Sequence, residues 1–387
     1  MATRGPRRLP ARQPAPAMDQ PTRTVRQLAA LAGCSRTTVS LALRNHPSIP
    51  EATRTRIIQL ARENGYTPDP LVSRLMTQLR TSRSSRSAER IVYLTWWQTE
   101  EGWRQSPNDL AYYQGAKARV ESIGYDFEHI WAKAPNLSGA RLSKILYTRA
   151  IRGVVIAPCI RPLSHVSLDW RYFAVATIGV SIAKPDLHAA SHYHYQGMAL
   201  ALRKVRHHGY KRIGFVCLAD ELVRNNNGWL AAYLVHQTGQ PPESCPRPLL
   251  SEHTWDPDGF ARWLEKEKPD CVVSNRGETL RYLELLGLRV PDDIGFASTD
   301  LLTESNPASG IDQRPHMLAA AAVDLVDMQM QRNEYGLPEH PKKVMLEGTW
   351  REGNTLLNRS QQPASAAPVA KVPAAKAASA RRSRATG

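Results

Sequence analysis

Residues 33–47 read GCSRTTVSLALRNHP, and this stretch decides how its surroundings fold. Val39, Ala42 and Leu43 fall at i, i+3 and i+4, the spacing of one buried helical stripe. Thr37, Thr38 and Val39 are β-branched in a row, which costs side-chain freedom on a helix. At about 100° per residue, Leu41 lies nearly opposite the stripe, beside Thr37 and Arg44. A short, weakly propensed helix that turns a leucine away from its own core needs a second surface for that leucine to meet.

Working outward, residues 25–32 predict a helix with Leu28, Ala29 and Ala32 inward, ended by Gly33 as a C-cap residue. Ser35 is a natural N-cap for a second helix running to about Arg44. Pro47 and Pro50 break the chain, and residues 51–64 predict a third helix with Ile57, Leu60 and Ala61 inward, stopped by Gly65. Two helices joined by a short glycine turn and braced by a third make a helix-turn-helix, whose second helix enters the DNA major groove N-terminus first. In that pose Thr37, Thr38 and Ser40 are short enough to bond phosphates or base edges. Arg36 can fork onto guanine, and Leu41 can meet a thymine methyl.

The charge distribution agrees. The 387-residue chain carries a net charge of +16. Residues 1–21 hold four arginines against Asp19, and residues 22–90 hold twelve against Glu51, Glu63, Asp69 and Glu89. Residues 360–387 add two lysines and three arginines with no acid. These segments account for the whole excess, so residues 91–359 are neutral. A charged helical face usually serves only solvation, but solvation does not explain such segregation; a polyanion-binding head on a neutral body does. The five scattered cysteines form no CxxC pair and fit a reducing cytoplasm. No apolar run approaches the ~20 residues of a membrane span, so no membrane partner is expected. The Arg-, Pro- and Ala-rich residues 1–21 read as a disordered basic arm, and 360–387 as a disordered basic tail without leucine heptads.

Residues 24–75, TVRQLAALAGCSRTTVSLALRNHPSIPEATRTRIIQLARENGYTPDPLVSRL, resemble the lac repressor/gal repressor (LacI/GalR) family of transcriptional regulators. The family pattern Ala-Gly-x-Ser-x-x-Thr-Val-Ser is met by Ala32, Gly33, Ser35, Thr38, Val39 and Ser40. Thr53-Arg54 and Gly65-Tyr66-x-Pro68 follow at family offsets. The resemblance implies that Thr24, Ser35, Thr53 and Tyr66 touch phosphates while Arg36, Thr37 and Leu41 read bases; Asn45 is also expected at the DNA. Leu41 departs from the family's usual Arg or polar residue. A hinge segment follows, with Asp69 as a plausible N-cap and Pro70 suited to a first helical position. Such a helix is too short to be stable alone. The family answer is that two of them pair on DNA and a leucine, here Leu75, wedges into the minor groove. A homodimer on a near-palindromic double-stranded site is therefore expected.

From residue 90 onward, strand-like runs alternate with helical patterns. The runs are RIVYLTW (90–96), GVVIAP (153–158), RIGFVCL (212–218), CVVSN (271–275) and IGFASTD (294–300). Helical segments lie between them at 113–123, 198–207, 260–267 and 279–286. This alternation predicts parallel sheets covered by helices, with a length that suits two lobes. The domain reading is a basic arm (1–21), a helix-turn-helix (22–68), a hinge and linker (69–89), a two-lobed body (90–359) and a basic tail (360–387). HHGYKRIGFV (207–216) and GLRVPDDIGF (287–296) resemble family blocks of a periplasmic-binding-protein-like body that binds a small ligand between its lobes. Carried over by position, Asn275, Asp300 and Gln313 would line that cleft. Asn225 stands where the family has an Arg, with Arg224 beside it; Arg276 replaces an Asp, and Tyr193-His194 an Asp-Asn pair.

WWQTEEGW (96–103) and Tyr112-Tyr113 place aromatics, Trp96 first among them, where the first lobe would face the cleft, which suits sugar rings as well as it suits ordinary packing. His188, His192 and His194 have spacings open to a metal, but no Cys or placed acid accompanies them, and a solvated or cleft-lining loop reads better. Phosphate-loop, nucleophile-elbow, dinucleotide and His-Glu-x-x-His signatures are missing, so neither an enzyme nor a cofactor is expected. The leading expectation is a cytoplasmic, ligand-responsive transcriptional regulator, with repression as its expected sign and a sugar or sugar derivative as effector. An acidic sugar served by Arg224 or Arg276 stays open. So do a constitutive regulator with no ligand and a sugar-processing protein with an accessory DNA head, which turnover of a bound sugar would distinguish.

Overall fold

The computed structural model describes residues 24–44, 46, 48–66, 89–251, 256–301 and 307–361. The chain divides into two compact units between Ser82 and Arg83. Asn45, Leu75, the basic arm and nearly all of the hinge, linker and tail lie outside the described residues.

The first unit is three helices, α1 (Val25–Ala32), α2 (Arg36–Leu43) and α3 (Glu51–Glu63). Thr24 caps α1 in a reciprocal capping box with Gln27. Gly33 ends α1 at φ 63°, a left-handed conformation that a β-carbon would strain. That conformation sets the sharp turn into α2. Ser35 Oγ accepts from the Thr38 N–H at 3.0 Å and opens α2. Leu28, Ala29, Ala32, Val39, Ala42, Ile49, Ile57 and Ala61 form one buried cluster. Arg56 adds a tie that the apolar pattern does not show: Nη2 donates to the Ala32 carbonyl at 3.0 Å, fixing α3 to the end of α1.

The second unit holds two six-stranded sheets. The strands are β1 (Arg90–Thr95), β2 (Asp126–Trp131), β3 (Gly153–Ile156), β4 (Ser164–His165), β5 (Ala174–Ile178), β6 (Ile182–Lys184), β7 (His188–His192), β8 (Ile213–Leu218), β9 (Leu249–Ser251), β10 (Cys271–Ser274), β11 (Gly295–Ser298), β12 (Ser309–Asp312), β13 (Lys343–Leu346) and β14 (Thr349–Arg351). The N-lobe sheet runs β13-β7-β5-β3-β1-β2 and is parallel throughout. The C-lobe sheet runs β14-β12-β11-β10-β8-β9, parallel except that β14 returns antiparallel to β12. Central strands are buried along nearly their whole length and mostly apolar, as parallel strands covered by helices on both faces are.

The chain crosses between lobes three times: at Tyr193, around Arg314, and at residues 347–348. Helix Pro315–Arg332 leaves the C-lobe sheet yet packs in the N-lobe core through Leu318, Ala322, Val323 and Val326. Its Gln329 side chain bonds the main chain of Val175 in β5 from both ends, accepting at 3.2 Å and donating at 3.1 Å. At the third crossing, a β-carbon on Gly348 would meet Ile311 Cγ2 at 2.4 Å, so only glycine lets this strand pass β12.

The helix predicted from residue 113 begins at Pro107, capped by Ser106. His188 and His192 are buried on β7 and His194 opens the next helix, which corrects the expectation of a loop. β7 pairs on both sides with β5 and β13, and that pairing overrides the polar look of HAASHYH.

Candidate nucleic-acid interface and ligand cleft

On the head, Arg36 and Thr37 are exposed on the first turn of α2. Ser35 and Thr38 are tied to each other, hydroxyl to hydroxyl at 2.9 Å, and Ser35 is already engaged as the cap. Ser40 accepts from Arg44 Nη2 at 3.1 Å. Leu41 is only partly exposed and packs against the head core. Tyr66 also packs on this cluster, and Thr53 is half-buried in α3.

In the body, the candidate site lies at the carboxyl ends of the strands, where the chain crosses between lobes. Asn275 and Asp300 follow neighbouring strands: β10 and β11 pair in register up to Ser274 opposite Ser298. Ser298 fixes Asp300 by accepting its N–H at 3.1 Å and donating to its carbonyl at 2.8 Å. Gln313 is buried and donates to the Thr299 carbonyl at 2.9 Å, so its amide holds the strand end in place. From the N-lobe, Asn108 Nδ2 donates to Asp300 Oδ2 at 3.0 Å. Tyr112, one turn on, is hydrogen-bonded through its hydroxyl to His192 Nε2 at 3.2 Å. The His192 ring stands 5.6 Å from that of His194, which meets Trp229 edge-on at 5.2 Å.

Several polar atoms of these and neighbouring residues have unmet capacity. His192 Nδ1, His194 Nδ1, both amide atoms of Asn225, Arg276 Nε, Thr299 Oγ1 and Asp300 Oδ1 are sealed from solvent without a partner. Burial pushes the Asp300 carboxyl up to about 7, with Glu221 and Asp312 adding to the rise and the Asn108 bond opposing it. Burial lowers His192 to about 3, helped by His194, and lowers His194 to about 4. Near neutrality both imidazoles are uncharged and Asp300 sits at its midpoint. Asp109 is raised by burial, against hydrogen bonding from Ser106 and the nearby charge of Arg224.

Two expectations need correction. Trp96 is only partly buried and, like Ile130, Trp170 and Ile182, packs against the N-lobe core. Trp103 is fully buried against Tyr113 and His129, with Arg104 over its ring. These aromatics are packing residues because the segment after β1 folds back as a 3-10 turn onto the following helix. Arg224 donates to the Cys159 carbonyl at 2.6 Å and to the Ile160 carbonyl, so it is committed across the cleft. Arg276 sits beside Glu278 at 3.8 Å. Among the described residues, no three His, Cys, Asp or Glu side chains gather as metal ligands, and no helix is long and apolar enough to cross a membrane. Sequence reasoning missed Asn108 and Asp109. The signal was Ser106-Pro107-x-Asp109, an N-cap with proline at the first helical position, placed just past a strand end.

Residues 24–69 match the family described as "Bacterial regulatory proteins, lacI family", and residues 202–355 match "Periplasmic binding protein-like domain". The chain is a LacI-family transcriptional regulator. The curated HTH-type transcriptional regulator AglR of Rhizobium meliloti (strain 1021) is 45% identical over 53 residues, 14% of this chain and 15% of that protein. The match thus spans about a seventh of the curated relative's length. The likeness in fold extends over the body: a transcriptional regulator CelR–cellobiose complex superposes with a TM-score of 0.50 at 18% identity, covering 86% of this chain and 99% of that one. A transcription regulator-like protein from Staphylococcus haemolyticus gives 0.52 at 12% identity, covering 69% and 99%. The LacI family is one of regulators, not of enzymes.

Proposed function

We propose that this LacI-family chain binds a near-palindromic DNA site as a homodimer through its helix-turn-helix, and that a small polyhydroxylated ligand between the lobes sets its affinity for that site. The observation that carries the ligand reading is the set of seven sealed, unpartnered polar atoms contributed by both lobes. Buried polar groups are otherwise almost always paired, because an unmet one costs about 1–3 kcal/mol. Neutral imidazoles, a carboxamide, a hydroxyl and a carboxyl offer donors and acceptors together, which is what a sugar or sugar derivative requires. A regulator of the same fold that holds cellobiose is in keeping with this reading. Arg224 is held by N-lobe carbonyls, while Arg276, 3.8 Å from Glu278, keeps a sealed Nε without a partner that a ligand oxygen, neutral or acidic, would fill.

Calorimetry with a broad panel of neutral and acidic sugars, on wild type and Asp300→Ala, tests the cleft. Binding of a neutral sugar that Asp300→Ala loses is expected. No binding by any compound, or equal binding by the variant, would replace this reading with a constitutive regulator. Sedimentation of the protein on a footprinted site tests the dimer; one monomer per site at saturation contradicts it.

A further inference from the structure

We infer that the cleft carries its own latch, a pair of side-chain bridges between the lobes that holds the protein closed before any ligand arrives. The first bridge is Arg224, at the end of the C-lobe helix Ala219–Arg224. Its Nη2 reaches the Cys159 carbonyl at 2.6 Å and the Ile160 carbonyl, both just past β3 in the N-lobe. The receiving loop is itself fixed, because the Cys159 N–H donates to Ser181 Oγ at 2.9 Å and the Cys159 side chain is buried in the N-lobe core. Asp109, on the N-lobe helix Pro107–Ser122, adds a carboxyl close enough for its charge to be felt by Arg224. One C-lobe cation is thus held by two N-lobe carbonyls and faces an N-lobe acid. The second bridge is Asn108 to Asp300 at 3.0 Å, made from the neighbouring residue of the same helix.

The two bridges differ in what a ligand does to them. Arg224 bonds main-chain carbonyls and makes no use of Asp300. The Asn108 bond uses one oxygen of the carboxyl whose other oxygen is unpartnered. A ligand that takes both oxygens of Asp300 displaces Asn108 and opens half of the latch. Closure without ligand also lowers the fraction of protein able to admit one, which weakens apparent affinity by that fraction. The latch is a contact between protein groups and stands whether or not the ligand of the preceding section is a sugar.

Amide hydrogen exchange on the full-length, ligand-free protein tests it. In wild type, peptides covering 107–115 and 155–163 are expected to be protected. Arg224→Ala should speed their exchange by tenfold or more while the peptide covering 257–267, a helix away from the cleft, is unchanged. Asn108→Ala should give a smaller increase at 107–115. Equal exchange in wild type and both variants, or a wild type already as fast as Arg224→Ala, overturns the latch. A sugar panel that fails while the exchange result holds would remove the ligand reading and leave the latch.

Discussion

The head and the cleft present polar side chains in opposite states. On the first turn of α2, Arg36 and Thr37 are exposed to solvent. In the cleft, Asp300, His192, His194 and Asn225 are sealed, and several face one another across the lobes. The charge follows the same division, with the excess on the head and tails and none net on the body. An open, cationic surface suits a large polyanion that arrives from outside. A closed, nearly neutral set of donors and acceptors suits a small molecule that must be enclosed. The comparison teaches that exposure, not residue type, separates the two kinds of recognition here: both use short polar groups and arginine.

The largest expected effect tests whether the two regions stand apart in stability. The head's core is one small cluster, and truncating Ile57 to alanine should cost about 2–5 kcal/mol. Differential scanning calorimetry should then show the head melting at a lower temperature while the body transition stays in place. A coupled shift of both would mean that the units are not independent.

The second prediction concerns pH and belongs to the cleft alone. Asp300's folded value of about 7 lies above its unfolded value near 4, so its contribution is complete below about pH 4 and is lost as pH rises toward 7. His192 and His194, lowered to about 3 and about 4, contribute stability above about pH 6.5 that is lost as pH falls through that range. Each group changes stability by about 1.4 kcal/mol per pH unit inside its window. Between about pH 4 and 6.5, the two losses from His192 and His194 on acidification oppose the gain from Asp300; Asp109, also raised, adds a gain, and His129, His188 and His236, also lowered, add losses, so the body weakens. Asp300→Asn should steepen that decline and His192→Gln should flatten it, read from the body's denaturant midpoint across pH. An unchanged slope in Asp300→Asn would remove the buried carboxyl from the account.

Two smaller effects sharpen the head. Arg36→Ala should cost about 1–3 kcal/mol on a specific site and much less on random DNA, measured by fluorescence anisotropy. Equal loss on both would demote Arg36 to a phosphate contact. Thr24→Ala should cost the head about 1 kcal/mol by removing the α1 cap, with the body transition unmoved.

The same contrast explains what could be read from sequence. The head was legible because its geometry is local: Gly33, Ser35 and the helical spacing of Leu28 with Ala32, Val39 with Ala42 and Ile57 with Ala61 fix three helices within about forty residues. Leu41 packs partly on the head core, a contact its position on an eight-residue helix does not announce. In the body, apolar runs gave the central strands. β7 was hidden because its partners β5 and β13 are joined to it only in space, and HAASHYH alone reads as polar. Nothing local says that helix Pro315–Arg332, reached from a C-lobe strand, belongs to the N-lobe. The cleft residues were half legible: Asn275, Asp300 and Gln313 came from family position. Asn108 and the Arg224 bridge depend on contacts between residues 192 and 65 positions apart.

The central claim is that occupancy of the cleft is felt at the DNA. Its most direct test is the affinity of the full-length protein for a footprinted site, measured by anisotropy with and without each compound of the sugar panel. At least one neutral compound should shift wild-type affinity by about 5- to 150-fold, the range of ordinary allosteric coupling, and leave Asp300→Ala unmoved. Wild-type affinity indifferent to every compound, or an Asp300→Ala response equal to wild type, would contradict the claim.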